Sequence, residues 1–220
     1  MRLDRLLSEY CRREGTPLLA HLSLETASDF ARMHPDGGRV FDYAVELQIQ
    51  VAILQLDLSG IARGTDSPPE GETDEDQFCR RMAVLRMNSD YVFRYRAIWD
   101  KVMGLLVLLI APEKFKRFLE AKSRRKEFRK ITEQAAVLPE ELVGHIIETA
   151  QAFDDRYRTA EAHGAGSTRR WVTGEKSEWD SEQANMFWAW NALNRALNML
   201  GAVFRNAVAA AQGGSNSPAG

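Results

Sequence analysis

One histidine and two arginines lie close together ahead of two glycines. They are Arg156, Arg158 and His163, followed by Gly164 and Gly166. The imidazole of a histidine exchanges a proton near neutral pH, and a guanidinium is a permanent cation whose shape matches two phosphate oxygens. One group can move a proton while the other stabilises developing negative charge, which is sufficient for cleaving a phosphodiester without a metal. The residue types and their spacing therefore predict phosphodiester chemistry here.

The choice between the two arginines depends on how far the preceding helix continues. On an ideal α-helix, residues seven apart are separated by about 20° around the axis, whereas residues five apart are separated by about 140°. Arg156 is thus the same-face partner of His163 if the helix reaches that far. Arg158 reaches the same point if the helix ends before Gly164. In both cases His163 lies near a helix carboxyl end, where the dipole favours the protonated imidazole of a general acid.

An arginine, four to six residues and then a histidine, late in a helix of an all-helical protein, resembles the motif of the HEPN superfamily. Four residues separate Arg158 from His163, and six separate Arg156 from it, so both arginines satisfy the spacing. The family's arginine is often followed by Asn or Asp, whereas Thr159 follows Arg158 here. The resemblance implies a metal-independent endoribonuclease that needs no cofactor. It also implies a homodimer in which two copies of the motif face one cleft.

The same residues also allow a purely structural interpretation. In it, the arginines pair with Asp154, Asp155 or Glu161 on a solvent-exposed face, and His163 binds helix carbonyl groups. Histidines are favourable at helix carboxyl ends for electrostatic reasons alone. The corresponding function is a non-catalytic, HEPN-like helical module that binds a protein partner or a nucleotide.

A helix predicted from Pro112 to about Ala136 carries the local basic surface of a chain whose formal net charge is −2. Its cations outnumber its glutamates; they are Lys114, Lys116, Arg117, Lys122, Arg124, Arg125, Lys126, Arg129 and Lys130. One interpretation is a solvated helix face with local ion pairs. The other is a track that contacts phosphates.

Five of the basic residues are predicted to bind RNA. Lys122, Arg125 and Arg129 belong to the basic helix, and Arg169 and Arg170 lie in the predicted loop after the motif. Because the whole chain is slightly acidic, binding of a polyanion must depend on such local patches.

The fold predicted for the 220 residues is all-α, because apolar residues recur at helical spacing and no segment alternates as a half-buried strand would. We expect one domain over 1–211, an antiparallel bundle of about five long helices plus short N-terminal helices, with a HEPN-like core over about 39–211. The long helices are predicted at 39–62, 77–110, 112–136, 139 to the motif, and 182–211. An acidic, flexible loop is predicted at 64–76 and a disordered tail at 212–220.

Other kinds of site are weakly supported. Glu141, His145 and Glu148 share a helix face, but a metal held in a bundle requires matching ligands on partner helices, and none has the right spacing. The two cysteines have no metal-ligand spacing, and the start of the chain has no secretory character. The run Val102–Ile110 is too short to span a bilayer. These features predict a cytoplasmic protein with no bound metal and no membrane partner.

Three aromatic residues fall off the main helix seams. Phe93, Phe187 and Trp188 are therefore candidates for the apolar surface that a dimer beside the motif requires, although such residues also pack against a third helix.

Overall fold

The computed structural model describes residues 3–14, 22–34, 36–65, 70–158 and 179–214. The elements in chain order are α1 (Leu3–Arg13), α2 (Leu24–Met33), α3 (Gly37–Thr65), α4 (Asp74–Ile110), a 3₁₀ turn (Pro112–Lys114), α5 (Phe115–Glu120), α6 (Arg124–Ala135), α7 (Glu140–Phe153), a π-helical turn (Asp154–Arg158) and α8 (Trp179–Gly214). No strand occurs within these ranges, which confirms the predicted all-α class.

Helix α4 is the centre of the bundle. All residues from Val102 to Leu108 are buried, so neighbours cover every side of this part of the helix, as its continuous apolar sequence requires. Gly104 allows the closest approach: a Cβ atom there would lie 3.0 Å from the ring of Tyr43 on α3 and 3.3 Å from the ring of Phe118 on α5. A larger residue at this position would push both aromatic rings away.

Two tyrosines of α4 bind the backbone of α8. Tyr91 donates its hydroxyl hydrogen to the carbonyl oxygen of Met186 at 3.0 Å, and Tyr95 donates to that of Ala189 at 2.7 Å. Burial raises the pKa of Tyr95, so its phenol remains a neutral donor. These bonds set the register between α4 and α8.

The segment Gly37–Ile61 of α3 is long and apolar enough to cross a membrane by length and composition alone, with a mean hydropathy of 1.2. Half of its most apolar window is buried inside the protein, and the core helix of a folded domain meets the same criteria. The segment therefore assigns no location to the protein.

The helix predicted over 112–136 is wrong as one continuous element. The structure divides it into the 3₁₀ turn, α5 and α6, with extended backbone at Ala121 (φ −67°, ψ 133°). Ser123 is the N-cap of α6, and its hydroxyl oxygen accepts a hydrogen bond from the backbone N–H of Lys126. Lys122 therefore lies in a turn between two helices, rather than inside one.

Two predicted irregular segments are shorter than expected. Helix α3 continues to Thr65 and α4 begins at Asp74, so both ends of the predicted 64–76 loop are helical. The reason at the second end is a capping box: the Thr73 hydroxyl accepts from the Asp76 N–H, and the Asp76 carboxylate accepts from the Thr73 N–H. Likewise α8 continues to Gly214, inside the predicted 212–220 tail.

Replacing Thr73 with alanine is expected to lower the free energy of unfolding by about 1 kcal/mol, because the first turn of α4 loses its cap. Chemical denaturation monitored by circular dichroism would measure the change. Ser89→Ala, in the interior of the same helix, is the matched control and should have no such cost. Equal stabilities of the two variants would contradict the role given to Thr73.

Candidate functional site

A network of buried charges joins α4, α6 and the π-helical turn. Asp154 is the first residue of that turn and is 8% exposed. Its carboxylate accepts from Nε of Arg96 at 3.0 Å and from a terminal nitrogen of Arg125 at 2.8 Å. Asp100 binds Arg96 as well, and also Arg124 at 3.1 Å. Each aspartate is thus shared between two arginines.

The electrostatics of this network favour the charged state of its central arginine. Burial alone would lower the pKa of Arg96, but the nearby carboxylates of Asp100 and Asp154 outweigh it, so that the pKa is raised. Charged hydrogen bonds of this kind are strong only while every member is paired. The network therefore fixes the π-helical turn against α4 and α6.

Asp154 is one of the three carboxylates that the structural interpretation offers as partners for the motif arginines. The structure also pairs it with Arg96 and Arg125, which lie outside the motif. Arg125 was predicted to bind RNA; one end of its guanidinium is committed to Asp154, which gives it a structural role in addition to any contact with phosphate.

The remaining basic residues fall into two groups. Lys114 bonds to Gln134, Lys116 pairs with Glu120 at 3.9 Å, Arg117 pairs with Glu127 at 2.7 Å, and Arg124 pairs with Asp100. The second group is exposed and has no ion pair within the described part of the chain; its members are Lys122, Lys126, Arg129 and Lys130. We call these four residues the cationic face. Two of them, Lys122 and Arg129, were predicted to bind RNA.

The cationic face borders two grooves. Lys122, Lys126 and Lys130 line a groove with a volume of about 530 Å³ at the α5–α6 junction. Arg129 lines a smaller one of about 140 Å³ between α6 and α7, together with Gln151. Cations therefore line both grooves, and the larger one is also lined by Glu120 and Glu127.

The motif lies partly within the described residues. Arg156 is exposed and lies in the π-helical turn, two residues after Asp154. The turn also includes the backbone of Arg158, but the Arg158 side chain, His163, Arg169 and Arg170 are outside the described residues. Convergence of Arg156 or Arg158 with His163 stays a prediction.

The π-helical turn changes the geometry assumed for the motif. Its hydrogen bonds connect residues five apart instead of four, so angles derived from an ideal α-helix do not apply from Asp154 to Arg158. Helix geometry therefore does not favour Arg156 over Arg158 as the partner of His163. Insertions of this kind are frequent at functional sites.

Comparisons with models of protein families, with curated proteins and with solved structures found no match. The HEPN resemblance depends on the arginine and histidine spacing alone. What the fold adds is an ion pair between α6 and the turn that contains Arg156.

The α7 side chains considered as metal ligands have partners on α8. Glu141 pairs with Arg195 on α8 at 2.6 Å, and Nε2 of His145 lies 2.8 Å from the carbonyl oxygen of Ala192. Because a carbonyl only accepts, Nε2 of His145 is the donor. Within the described ranges, no three side chains of the metal-binding types come together.

The aromatic residues proposed for a dimer surface are exposed. Phe93 is 54% exposed, Phe187 42% and Trp188 51%, whereas their neighbours Met186 and Trp190 are buried. Trp188 lines a groove between α7 and α8 that the sequence did not indicate. Dimerisation itself stays a prediction.

Proposed function

We propose that this protein binds RNA along the cationic face and cleaves it, without a metal, at the Arg/His motif. One observation carries the proposal: the ion pair between Arg125 and Asp154 connects the helix that bears the cationic face to the turn that begins the motif. Arg156 lies in that same turn, two residues beyond Asp154.

The cationic face has the properties of a phosphate-binding surface. Lys126 and Lys130 are one helical turn apart, so their ammonium groups follow the helix axis on the same side. They carry no carboxylate partner among the described residues, and a phosphate therefore does not have to displace one. Binding of a polyanion to such cations is driven by release of its counterions.

The cleavage step follows the chemistry of the motif. The 2′-hydroxyl gives up its proton to solvent water and attacks the adjacent phosphorus, the new O2′–P bond forms, and the bond from phosphorus to the 5′-oxygen breaks. His163 donates the proton that the leaving 5′-oxygen requires, and Arg156 or Arg158 stabilises the charge on the phosphorane. The products are a cyclic phosphate and a free 5′-hydroxyl.

Replacing both Lys126 and Lys130 with glutamine is expected to weaken RNA binding and its salt dependence. Each lost contact with a single strand reduces the slope of log K against log salt by about 0.7, so the double variant should lose about 1.4. A fluorescence-anisotropy titration of a labelled oligonucleotide at several salt concentrations would measure both quantities.

The matched control removes the same number of charges elsewhere. Arg12 and Arg13 on α1 are exposed and both pair with Glu9, so Arg12→Gln with Arg13→Gln gives the same net charge without touching α6. An equal decrease in slope for both double variants would show that only net charge matters, and the cationic face would lose its assigned role.

A second candidate function is a non-catalytic module that binds a protein. The observation in its favour is an exposed apolar stripe on α4, formed by Phe78 (55% exposed), Met82 (42%) and Phe93 (54%), which lie within about 60° of one another around the helix. This alternative predicts that the Lys126 and Lys130 variant binds RNA no differently from the parent.

A further inference from the structure

A groove between α7 and α8 has the size and lining of a small-molecule site. Its volume of about 470 Å³ lies in the range of roughly 300 to 1,000 Å³ that such sites occupy. Trp188 forms part of its wall and is 51% exposed, although Ala189 and Trp190 beside it are buried in the core. The indole ring of Trp188 is therefore exposed to solvent, although its helix packs into the core.

The polar groups of this groove are of two kinds. His145 is fixed by its bond to the Ala192 carbonyl, and Arg195 is bound to Glu141. By contrast, Glu148 and Asn191 have no hydrogen bond or ion pair within the residues that the structure describes, and both line the groove. A carboxylate accepts hydrogen bonds, and an amide both donates and accepts.

This combination matches the requirements of an unpaired nucleobase. The flat face of a base stacks on an aromatic ring, and its edge carries N–H donors and oxygen or nitrogen acceptors. The Glu148 carboxylate disfavours a phosphate beside it. The groove is suited to the base of a nucleotide, and the cationic face is suited to its backbone.

Helix α7 contributes to both surfaces. Gln151 lines the small groove that Arg129 shares, and Glu148, three residues earlier, lines the groove of Trp188. Residues three apart on an α-helix are about 60° apart around its axis, so these two residues lie on neighbouring strips of α7, and neighbouring nucleotides of one strand can occupy both surfaces.

We propose that Trp188 stacks on an unpaired base of a single-stranded RNA whose backbone lies on the cationic face, with Glu148 and Asn191 bonding the edge of that base. The inference rests on the proposed function and specifies its substrate class. In a duplex the base faces are covered by their neighbours, so the Trp188 groove selects single strands.

The test compares binding of a labelled single-stranded RNA with binding of a blunt duplex of the same sequence. All proteins carry His163→Ala so that the RNA stays intact. Trp188→Ala should bind the single strand about tenfold more weakly, which is the size expected for loss of one base stack, and should bind the duplex as before. Trp188→Phe should recover most of the affinity, because a phenyl ring also stacks.

Phe187→Ala is the matched control, since Phe187 is the adjacent exposed aromatic residue and does not line the groove. The inference is overturned if Trp188→Ala binds the single strand like its parent, or if Phe187→Ala weakens binding equally. The double variant at Lys126 and Lys130 distinguishes failure of the stacking site from failure of the proposed RNA binding. If it loses binding while Trp188→Ala does not, only the stacking site is wrong; if it retains binding, the RNA-binding function is wrong.

Discussion

His163→Ala is expected to cleave RNA about 10² to 10⁴ times more slowly than the parent protein, because a positioned proton donor typically contributes this much to the rate. The 5′-oxygen is a poor leaving group unless it is protonated as its bond to phosphorus breaks. Single-turnover cleavage of an end-labelled, single-stranded RNA would measure the rate. The parent should be equally active in the presence of a metal chelator, whereas RNA affinity should be similar in the two proteins.

A second histidine provides the control for this experiment. His34 lies at the end of α2, where its Nδ1 accepts from the backbone N–H of Asp36 and its ring stacks on Phe30. His34→Ala removes an imidazole far along the chain from the motif and should cleave at the parental rate. If His163→Ala cleaves as fast as His34→Ala, the assignment of His163 as the proton donor is incorrect.

Asp154→Ala is expected to lower the free energy of unfolding by about 3 kcal/mol. Removing one member of a buried ion pair typically costs about 3 to 5 kcal/mol, and the lower figure applies because Arg96 retains Asp100 as a partner. The guanidinium groups left behind are mostly buried, with the Arg96 side chain 13% exposed and that of Arg125 20%. Equilibrium unfolding in urea would measure the loss.

The next residue is the matched control. Asp155 is exposed and accepts hydrogen bonds from Gln151, its neighbour one turn earlier on the same surface. Asp155→Ala removes the same charge, but its cost should be below about 0.5 kcal/mol, as for most surface substitutions. Similar losses of stability in the two variants would mean that the network around Asp154 does not stabilise the fold.

The central helices were predictable because their sequence leaves few alternatives. The apolar pattern of α3 and of the last part of α4 requires burial on several sides, and the structure buries every residue from Val102 to Leu108. Helix ends were less predictable. The capping box at Thr73 is visible in the sequence as Thr followed three residues later by Asp, within a segment otherwise interpreted as an acidic loop.

The break between α5 and α6 follows from packing rather than from local preference. Ala121 and Lys122 are good helix formers, so propensity favours a continuous helix. On such a helix Phe118 and Ile131 would point about 140° apart, yet they are 0% and 1% exposed. The turn capped by Ser123 lets both side chains reach the core. The angle between these two apolar residues was the signal in the sequence that indicated a break.

The charges of the site could not be paired from the sequence. Arg96 and Asp154 are 58 residues apart, and local spacing instead suggested pairs within the motif helix. The groove of Trp188 could not be predicted for the same reason. The side of α8 that meets α7 depends on the register set by Tyr91 and Tyr95. Long-range contacts of this kind have no counterpart in hydrophobic periodicity.

Arg125 also couples the cationic face to the motif turn thermodynamically. Arg125 belongs to the helix that we propose binds RNA, and its guanidinium is held by the carboxylate of Asp154 at the start of the motif turn. A phosphate that competes for this guanidinium must loosen the turn, and a change in the turn must alter the affinity for that phosphate by the same factor. Binding of that phosphate and the conformation of the motif turn are then linked by one coupling free energy. A double-mutant cycle between positions 125 and 154 would measure it.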